Sequence, residues 1–70
     1  MICYDNLWLL MKKNKMTKTQ LRLAAGLSTS TFAKLTKNEI VSLDVLIRVC
    51  EVFKCQISDI CVIDYRRKVK

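Results

Sequence analysis

The chain contains a single glycine, Gly26, and no proline among its 70 residues. Glycine adopts positive backbone φ angles without the steric penalty that a side chain imposes, so its position marks a place where the chain can turn sharply. Just before it, the segment "TKTQLRLAA" begins with Thr17 and has Gln20 three residues later, which is the pattern of a helix N-terminal capping box. We therefore predict a short helix at about residues 18–25 that ends at Gly26 as its left-handed C-terminal residue.

A second short helix is predicted directly after this turn. Ser28 is in a position to cap a helix that continues to about Lys37, and Phe32 and Leu35 lie on one side of that helix at helical spacing. Two short helices joined by three or four residues around a glycine cross steeply. The sequence thus predicts a helix-turn-helix at about residues 17–38.

Two more helices flank this pair. Apolar residues recur at helical spacing after Asp5 and predict a helix at about residues 5–14. Asn38 tolerates a left-handed backbone and is predicted to end the helix that follows Ser28. The segment "SLDVLIRVCEVF" predicts a longer helix at about residues 43–54, capped by Ser42. Its inward stripe is predicted to consist of Leu43, Leu46, Ile47, Cys50 and Phe53.

The remaining residues predict one more helix and a pair of edge strands. A last short helix is predicted from Ser58 through Cys61, with the serine as its cap. Ile2 and Tyr4 near the start, and residues 62–65 near the end, are rich in strand formers and can pair across the termini. The predicted fold is all-α, a compact domain of five helices spanning residues 1–70 with a short two-stranded terminal pairing.

Positive charge is unevenly distributed along the chain, whose formal net charge is +7 at pH 7. No acidic residue lies between Asp5 and Glu39. The cations in that interval are Lys12, Lys13, Lys15, Lys18, Arg22, Lys34 and Lys37. Charge segregated in this way indicates an oppositely charged partner, most often nucleic acid, although a solvated basic surface remains an alternative.

The outer face of the third predicted helix fits such a partner. At about 100° per residue, the residues opposite its apolar side are Ser30, Ala33, Lys34 and Lys37, with Thr29 at the leading end. Small side chains allow a helix backbone to lie deep in a major groove, hydroxyls bind base edges, and lysine reaches guanine acceptors or phosphates. An arbitrary polar face is the competing interpretation, but such a face usually carries glutamates and this one has none.

Residues 16–60 resemble the helix-turn-helix family of the phage Cro and repressor proteins, and especially its small bacterial regulators. The resemblance depends on the threonine-capped second helix, the glycine turn, the third helix "STSTFAKL" and the fourth helix "SLDVLIRVCEVFKC" followed by "ISDI". It implies a small transcriptional regulator that binds double-stranded DNA sequence-specifically with the third helix in the major groove. It also implies a homodimer on DNA.

The family's binding positions can be transferred to this sequence. The resemblance implies base contacts by Thr29, Ser30, Ala33 and Lys34. It implies phosphate contacts by Lys18, Arg22, Thr31, Lys37 and Asn38. Two positions depart from the pattern. Many relatives have glutamine where Lys18 stands, and Arg22 occupies a position that is often alanine, so we expect Arg22 to point outward and add to the basic surface.

Other functions fit the sequence less well. A protein-interaction module that does not read DNA is one alternative for this fold. An RNA-binding module is another, but no aromatic residue lies in the basic face to stack on unpaired bases. An enzyme is not expected, since the chain has no histidine, no phosphate-binding glycine loop and no paired carboxylates at a plausible site. We predict no cofactor and no small-molecule substrate.

The four cysteines are Cys3, Cys50, Cys55 and Cys61. They permit two disulfides, but without an export signal or a membrane span we expect reduced thiols in a cytoplasmic protein. They lack the paired spacing of a zinc site, so no metal is predicted, and Cys50 is interpreted as a small core residue. A thiol-dependent switch remains a minor alternative. Trp8, Leu9 and the terminal strands are the candidates for a dimer surface.

Overall fold

The computed structural model describes residues 1–65 and consists of four α-helices, a 3₁₀ helix and two short strands. The elements in chain order are β1 (Ile2–Cys3), α1 (Asp5–Lys13), α2 (Lys18–Ala25), α3 (Thr29–Thr36), α4 (Leu43–Phe53), the 3₁₀ helix (Ile57–Asp59) and β2 (Val62–Ile63). The strands pair antiparallel, with Ile2 opposite Ile63 and Cys3 opposite Val62. The predicted all-α class and the terminal strand pairing are therefore confirmed.

The prediction of a fifth α-helix from Ser58 through Cys61 is wrong. A 3₁₀ helix of three residues begins one position earlier, and Gln56 occupies its N-cap. The Gln56 backbone N–H donates a hydrogen bond to Asp59 Oδ2 at 2.9 Å, which fixes the start of this turn. The helix cannot continue because the chain then enters β2, where Val62 pairs with β1.

The core draws side chains from all four α-helices, from Tyr4 before α1 and from Ile60 after the 3₁₀ helix. Its largest fully buried side chains are Tyr4, Leu7, Leu21, Leu35, Ile60 and Val49. Burial of this apolar surface is the main source of stability in so short a chain, since α2 and α3 have only eight residues each and isolated helices of that length are marginal in water.

The inward face of α4 differs in part from the predicted stripe. Leu46, Val49 and Cys50 are buried and Phe53 is half-buried, whereas Leu43 is 61% exposed and Ile47 is 45% exposed. At 3.6 residues per turn the buried side chains form one stripe along α4, and residues 43 and 47 lie at the edge of that stripe. Two apolar side chains of α4 therefore remain at the surface.

The N-terminal segment is attached to the end of α3 through Tyr4. Its hydroxyl donates to Glu39 O at 2.8 Å, and its backbone N–H donates to Asn38 Oδ1 at 3.1 Å. Asn38 has a φ of 57°, so the predicted left-handed termination is confirmed. The tyrosine ring is fully buried, and burial raises the pKa of Tyr4.

Within residues 1–65, none of the helices has the length and apolar character needed to cross a membrane.

Candidate nucleic-acid interface

The start of α2 is fixed by the predicted capping box. Gln20 N–H donates to Thr17 Oγ1 at 3.1 Å, and Thr17 N–H donates to Gln20 Oε1 at 2.9 Å. These two bonds satisfy backbone donors that a helix leaves free at its N-terminus. Lys18 follows as the first helical residue, and its side chain is exposed.

The turn between α2 and α3 is a Schellman motif centred on Gly26, which has φ 69° and ψ 35°. Leu27 N–H donates to Arg22 O at 3.0 Å, and Gly26 N–H donates to Leu23 O at 3.1 Å. A Cβ added at Gly26 would meet only Arg48 Nη1, at 3.9 Å. Glycine is therefore favoured at this position by the backbone angle and not by lack of space.

Two arginines bind the carbonyl oxygens of this turn. Arg22 Nη1 donates to Leu27 O at 3.3 Å, and Arg48 Nη1 donates to Gly26 O at 3.3 Å. Arg48 also forms an ion pair with Asp44 one turn earlier on α4, with 3.0 Å between Nε and Oδ2. We expected Arg22 to point outward, but its side chain is half-buried and one of its nitrogens is committed to the turn.

Hydroxyl groups cluster at the start of α3. Ser28 caps the helix as predicted, accepting a hydrogen bond from the Thr31 backbone N–H at 3.2 Å. The Ser28 hydroxyl also donates to Thr31 Oγ1 at 3.0 Å and lies 3.2 Å from the Ser30 hydroxyl. Thr31 is half-buried, while Thr29 and Ser30 are exposed. The capping hydroxyl of Ser28 is thus linked by hydrogen bonds to the hydroxyls of Ser30 and Thr31 at the start of α3.

The predicted sidedness of α3 is confirmed. Phe32 and Leu35 are buried against the core. The exposed side chains of the helix and its C-cap are Thr29, Ser30, Lys34, Thr36 and Lys37. Ala33 lies between the two classes and is half-buried. The outer face is consequently small, hydroxylated and positively charged, and no carboxylate belongs to the helix.

Trp8 has a role that the sequence analysis missed. Its ring is 5.8 Å from that of Phe32 at an interplanar angle of 67°, an edge-to-face arrangement. Lys18 Nζ lies 5.3 Å from the centroid of the Trp8 ring, within cation–π distance. Trp8 thereby connects α1 to the start of α2 and to the buried side of α3. No periodicity signals such contacts, because the two partners of Trp8 lie on two other helices, α2 and α3.

The remaining predicted site residue, Asn38, is half-buried just beyond the end of α3. Its side-chain oxygen accepts the Tyr4 N–H, so this residue ties the N-terminal segment to the end of the helix. Of the other predicted phosphate contacts, Lys18 and Arg22 lie on α2, Thr31 lies on α3, and Lys37 follows α3 as its C-cap.

None of the four cysteines belongs to α2 or α3, and all four are free thiols. Cys50 is buried in α4, and burial together with the neighbouring Cys55 raises the pKa of its thiol to about 11. Burial also raises the pKa of Cys61. Among residues 1–65, no three histidine, cysteine or acidic side chains are grouped so as to hold a metal ion.

This geometry, two short helices around a left-handed glycine with an exposed second helix, defines a helix-turn-helix domain. The chain belongs to the Cro/C1-type HTH DNA-binding domain family, which it matches over residues 6–64. It is also similar to the crystal structure of the transcriptional regulator VanUg, with a TM-score of 0.85 and 49% sequence identity over 87% of this chain and 81% of that one. Among curated proteins, none matches the chain. The predicted resemblance to the Cro and repressor family is thus confirmed.

Proposed function

We propose that this protein is a transcriptional regulator that recognises a specific sequence in double-stranded DNA by placing α3 in the major groove. The observation that carries the proposal is the outer face of α3, which is exposed, small, hydroxylated and free of carboxylates. Membership of a DNA-binding family supports it, as does the similarity to a protein described as a transcriptional regulator.

Base recognition is assigned to the start and outer face of α3. The proposed base contacts are Thr29, Ser30, Ala33 and Lys34. Ala33 lets the helix backbone approach the base edges closely, and Lys34 reaches the acceptors of guanine. Ser30 already lies against the Ser28 hydroxyl, but a hydroxyl has one donor and two acceptor positions, so it retains capacity for a base.

Affinity is assigned to residues of α2, to one residue within α3 and to the residues that follow α3. The proposed phosphate contacts are Lys18, Arg22, Thr31, Lys37 and Asn38. The Trp8 ring restricts the Lys18 ammonium at the start of α2, which lowers the entropy that the lysine loses on binding. If four or five cations of the protein engage phosphates, log affinity should fall against log salt with a slope of about −4.

We further propose that the protein acts as a homodimer on DNA. One helix-turn-helix contacts only a few base pairs, and two copies on half-sites one helical turn apart extend the recognised sequence. Leu9, Val62 and Ile63 are exposed apolar residues outside α3 and are the best candidates for contact between the copies. Trp8 fits this role less well, because its ring packs against Phe32.

The test is selection of binding sites from a library of random DNA duplexes. We expect enrichment of one sequence with two-fold symmetry, which would establish specificity and the symmetry of a dimer together. Failure to enrich any sequence at low salt would contradict the proposal and favour a protein-interaction module.

A matched pair of variants then tests the site. Lys34→Gln and Lys13→Gln each remove one exposed lysine charge, but Lys34 lies on α3 and Lys13 lies on α1 beside Leu9 and Asp59. Loss of a base contact should lower the affinity of K34Q for the selected duplex about tenfold. K13Q should bind within about twofold of the wild type, since it loses only a long-range charge. Equal effects of the two variants would show that general charge, and not α3, determines binding.

A further inference from the structure

We propose that Arg48 is a positioning residue that sets the angle of α3 for DNA recognition by holding the α2–α3 turn. This inference rests on the proposed function for its consequence, but its structural basis is independent of DNA. Arg48 lies on α4, outside the helix-turn-helix, and its guanidinium donates to Gly26 O at 3.3 Å.

The carbonyl that Arg48 binds belongs to the most adjustable residue of the turn. In the Schellman motif, the backbone N–H groups of Gly26 and Leu27 bind Leu23 O and Arg22 O. The carbonyls of the same two residues point to guanidinium groups: Gly26 O to Arg48, and Leu27 O to Arg22. Two consecutive peptide planes between α2 and α3, those that follow Gly26 and Leu27, are therefore held by side chains, one from α2 and one from α4.

This arrangement restricts the direction of α3. The backbone of glycine has more conformational freedom than that of any other residue, so a small rotation at Gly26 would swing the whole of α3 relative to α2. A hydrogen bond from a charged donor to the Gly26 carbonyl opposes that rotation. Because α4 is anchored in the core by Leu46, Val49 and Cys50, its arginine holds the turn against a rigid element.

The guanidinium itself is oriented by Asp44. The Nε–Oδ2 distance of 3.0 Å places the carboxylate on one side of Arg48 while Nη1 binds the turn on another. The planar fork of arginine makes both bonds at once, which a single ammonium group does less well. The pairing also offsets the positive charge of Arg48, and this distinguishes it from the lysines proposed to bind phosphate.

The experiment compares Arg48→Met with the wild type on two duplexes, the selected sequence and a scrambled one, over a series of salt concentrations. We expect R48M to lose about tenfold in affinity for the selected duplex and to stay within about twofold on the scrambled duplex. The slope of log affinity against log salt should not change, because no phosphate contact is lost. Arg48→Lys should resemble R48M, since it keeps the charge without the fork.

Two results would overturn the inference. If R48M prefers the selected duplex over the scrambled one as strongly as the wild type does, then the turn holds its geometry without the arginine. A salt slope smaller by about one in R48M, restored together with affinity in R48K, would instead make Arg48 a direct phosphate contact. Should R48M not fold, Asp44→Asn leaves the arginine in place and removes only its orienting carboxylate. We expect this variant to lose discrimination by about threefold, and wild-type discrimination in it would likewise count against the inference.

A measurement on the free protein separates this inference from the proposed function. Residual dipolar couplings of backbone N–H groups report the orientation of α3 relative to α2 and α4. In R48M we expect the couplings of α3 to shift or average while α2 and α4 keep their mutual orientation. An unchanged α3 would refute the positioning role even if DNA binding is confirmed. If the wild type selects no DNA, the proposed function fails and the couplings still decide the role of Arg48.

Discussion

Helices α3 and α4 begin in the same way but present different outer surfaces. Ser28 and Ser42 each accept a hydrogen bond from the backbone N–H three residues later, at 3.2 Å and 3.3 Å. The exposed residues of α3 are hydroxylated or basic, whereas α4 exposes Asp44 and Glu51 beside apolar side chains. The same capping rules therefore build both helices, but their outer faces differ: the face of α3 is the proposed DNA-binding surface, and α4 carries the arginine proposed to hold the turn before α3.

The helix ends also differ. Helix α2 ends at a glycine with φ 69°, while α4 ends at Lys54 with φ 54°, a left-handed position that costs a side-chain-bearing residue energy. The turn that orients α3 is thus made without backbone strain, and the turn after α4 is not. Because glycine also leaves the first turn free to rotate, the direction of α3 depends on side chains that bind the carbonyl oxygens of that turn.

The largest expected effect comes from truncating the inner face of α3. Phe32→Ala removes a ring that is 7% exposed and packs against Trp8, so we expect a loss of about 3–5 kcal/mol of unfolding free energy. Ile47→Ala on α4 is the control, because that side chain is 45% exposed, and its loss should stay below about 1 kcal/mol. Urea denaturation measures both. Similar losses of unfolding free energy in F32A and I47A would mean that the exposed edge of α4 contributes as much to stability as the buried face of α3.

The two helix ends predict changes of opposite sign. Gly26→Ala places a side chain at φ 69° with no close contact, so backbone strain alone should cost about 1–2 kcal/mol. Lys54→Gly relieves the same strain at the end of α4 and should stabilise the protein by about 0.5–1 kcal/mol. Thermal unfolding detects both changes. A destabilised K54G would show that the lysine side chain contributes more than its backbone angle costs.

The two serine caps separate stability from binding. Ser28→Ala and Ser42→Ala each remove one cap and should each cost about 1 kcal/mol of unfolding free energy. Only S28A also releases the Ser30 and Thr31 hydroxyls, so only S28A should weaken binding of the selected duplex. Unfolding and DNA titration of the same samples provide the comparison. An equal loss of DNA affinity in S42A would mean that binding depends on overall stability and not on the start of α3.

A contact could be predicted from the sequence when its residues lie close together in the chain. The helix-turn-helix was predictable because its determinants are local: Thr17 with Gln20, the glycine at 26, and Ser28 with the backbone three residues on. The inward side of α3 followed from its periodicity. DNA contacts by its outer residues remain predictions.

The side-chain contacts that hold α3 in place were not predictable, because the residues that form them are distant in sequence. Arg48 is 22 positions from Gly26, and Tyr4 is 34 positions from Asn38. Trp8 similarly contacts residues on α2 and α3. The exposed margin of α4 was misassigned for a related reason, since an apolar side chain at the edge of a helical stripe is buried only if a neighbouring element covers it.

The last prediction concerns Cys50 of α4 and depends on pH. Burial beside Cys55 raises the pKa of Cys50 from 9.0 to about 11, so the folded state favours the protonated thiol. The resulting stability is fully present below about pH 9, where the unfolded thiol is also protonated, and is lost as pH rises towards about 11. Unfolding free energy should therefore decline across that interval in the wild type.

Cys50→Ala supplies the control for this decline. Lysines deprotonate over part of the same pH range, so only the difference between the two proteins isolates the thiol. The variant should be less stable at pH 7, because it leaves space at a position that is 8% exposed, but it should lose less stability between pH 9 and 11. Parallel declines would contradict the assignment and place the titration on other groups. If the declines differ while DNA affinity at pH 7 stays unchanged, then Cys50 belongs to the supporting helix and has no part in the binding surface of α3.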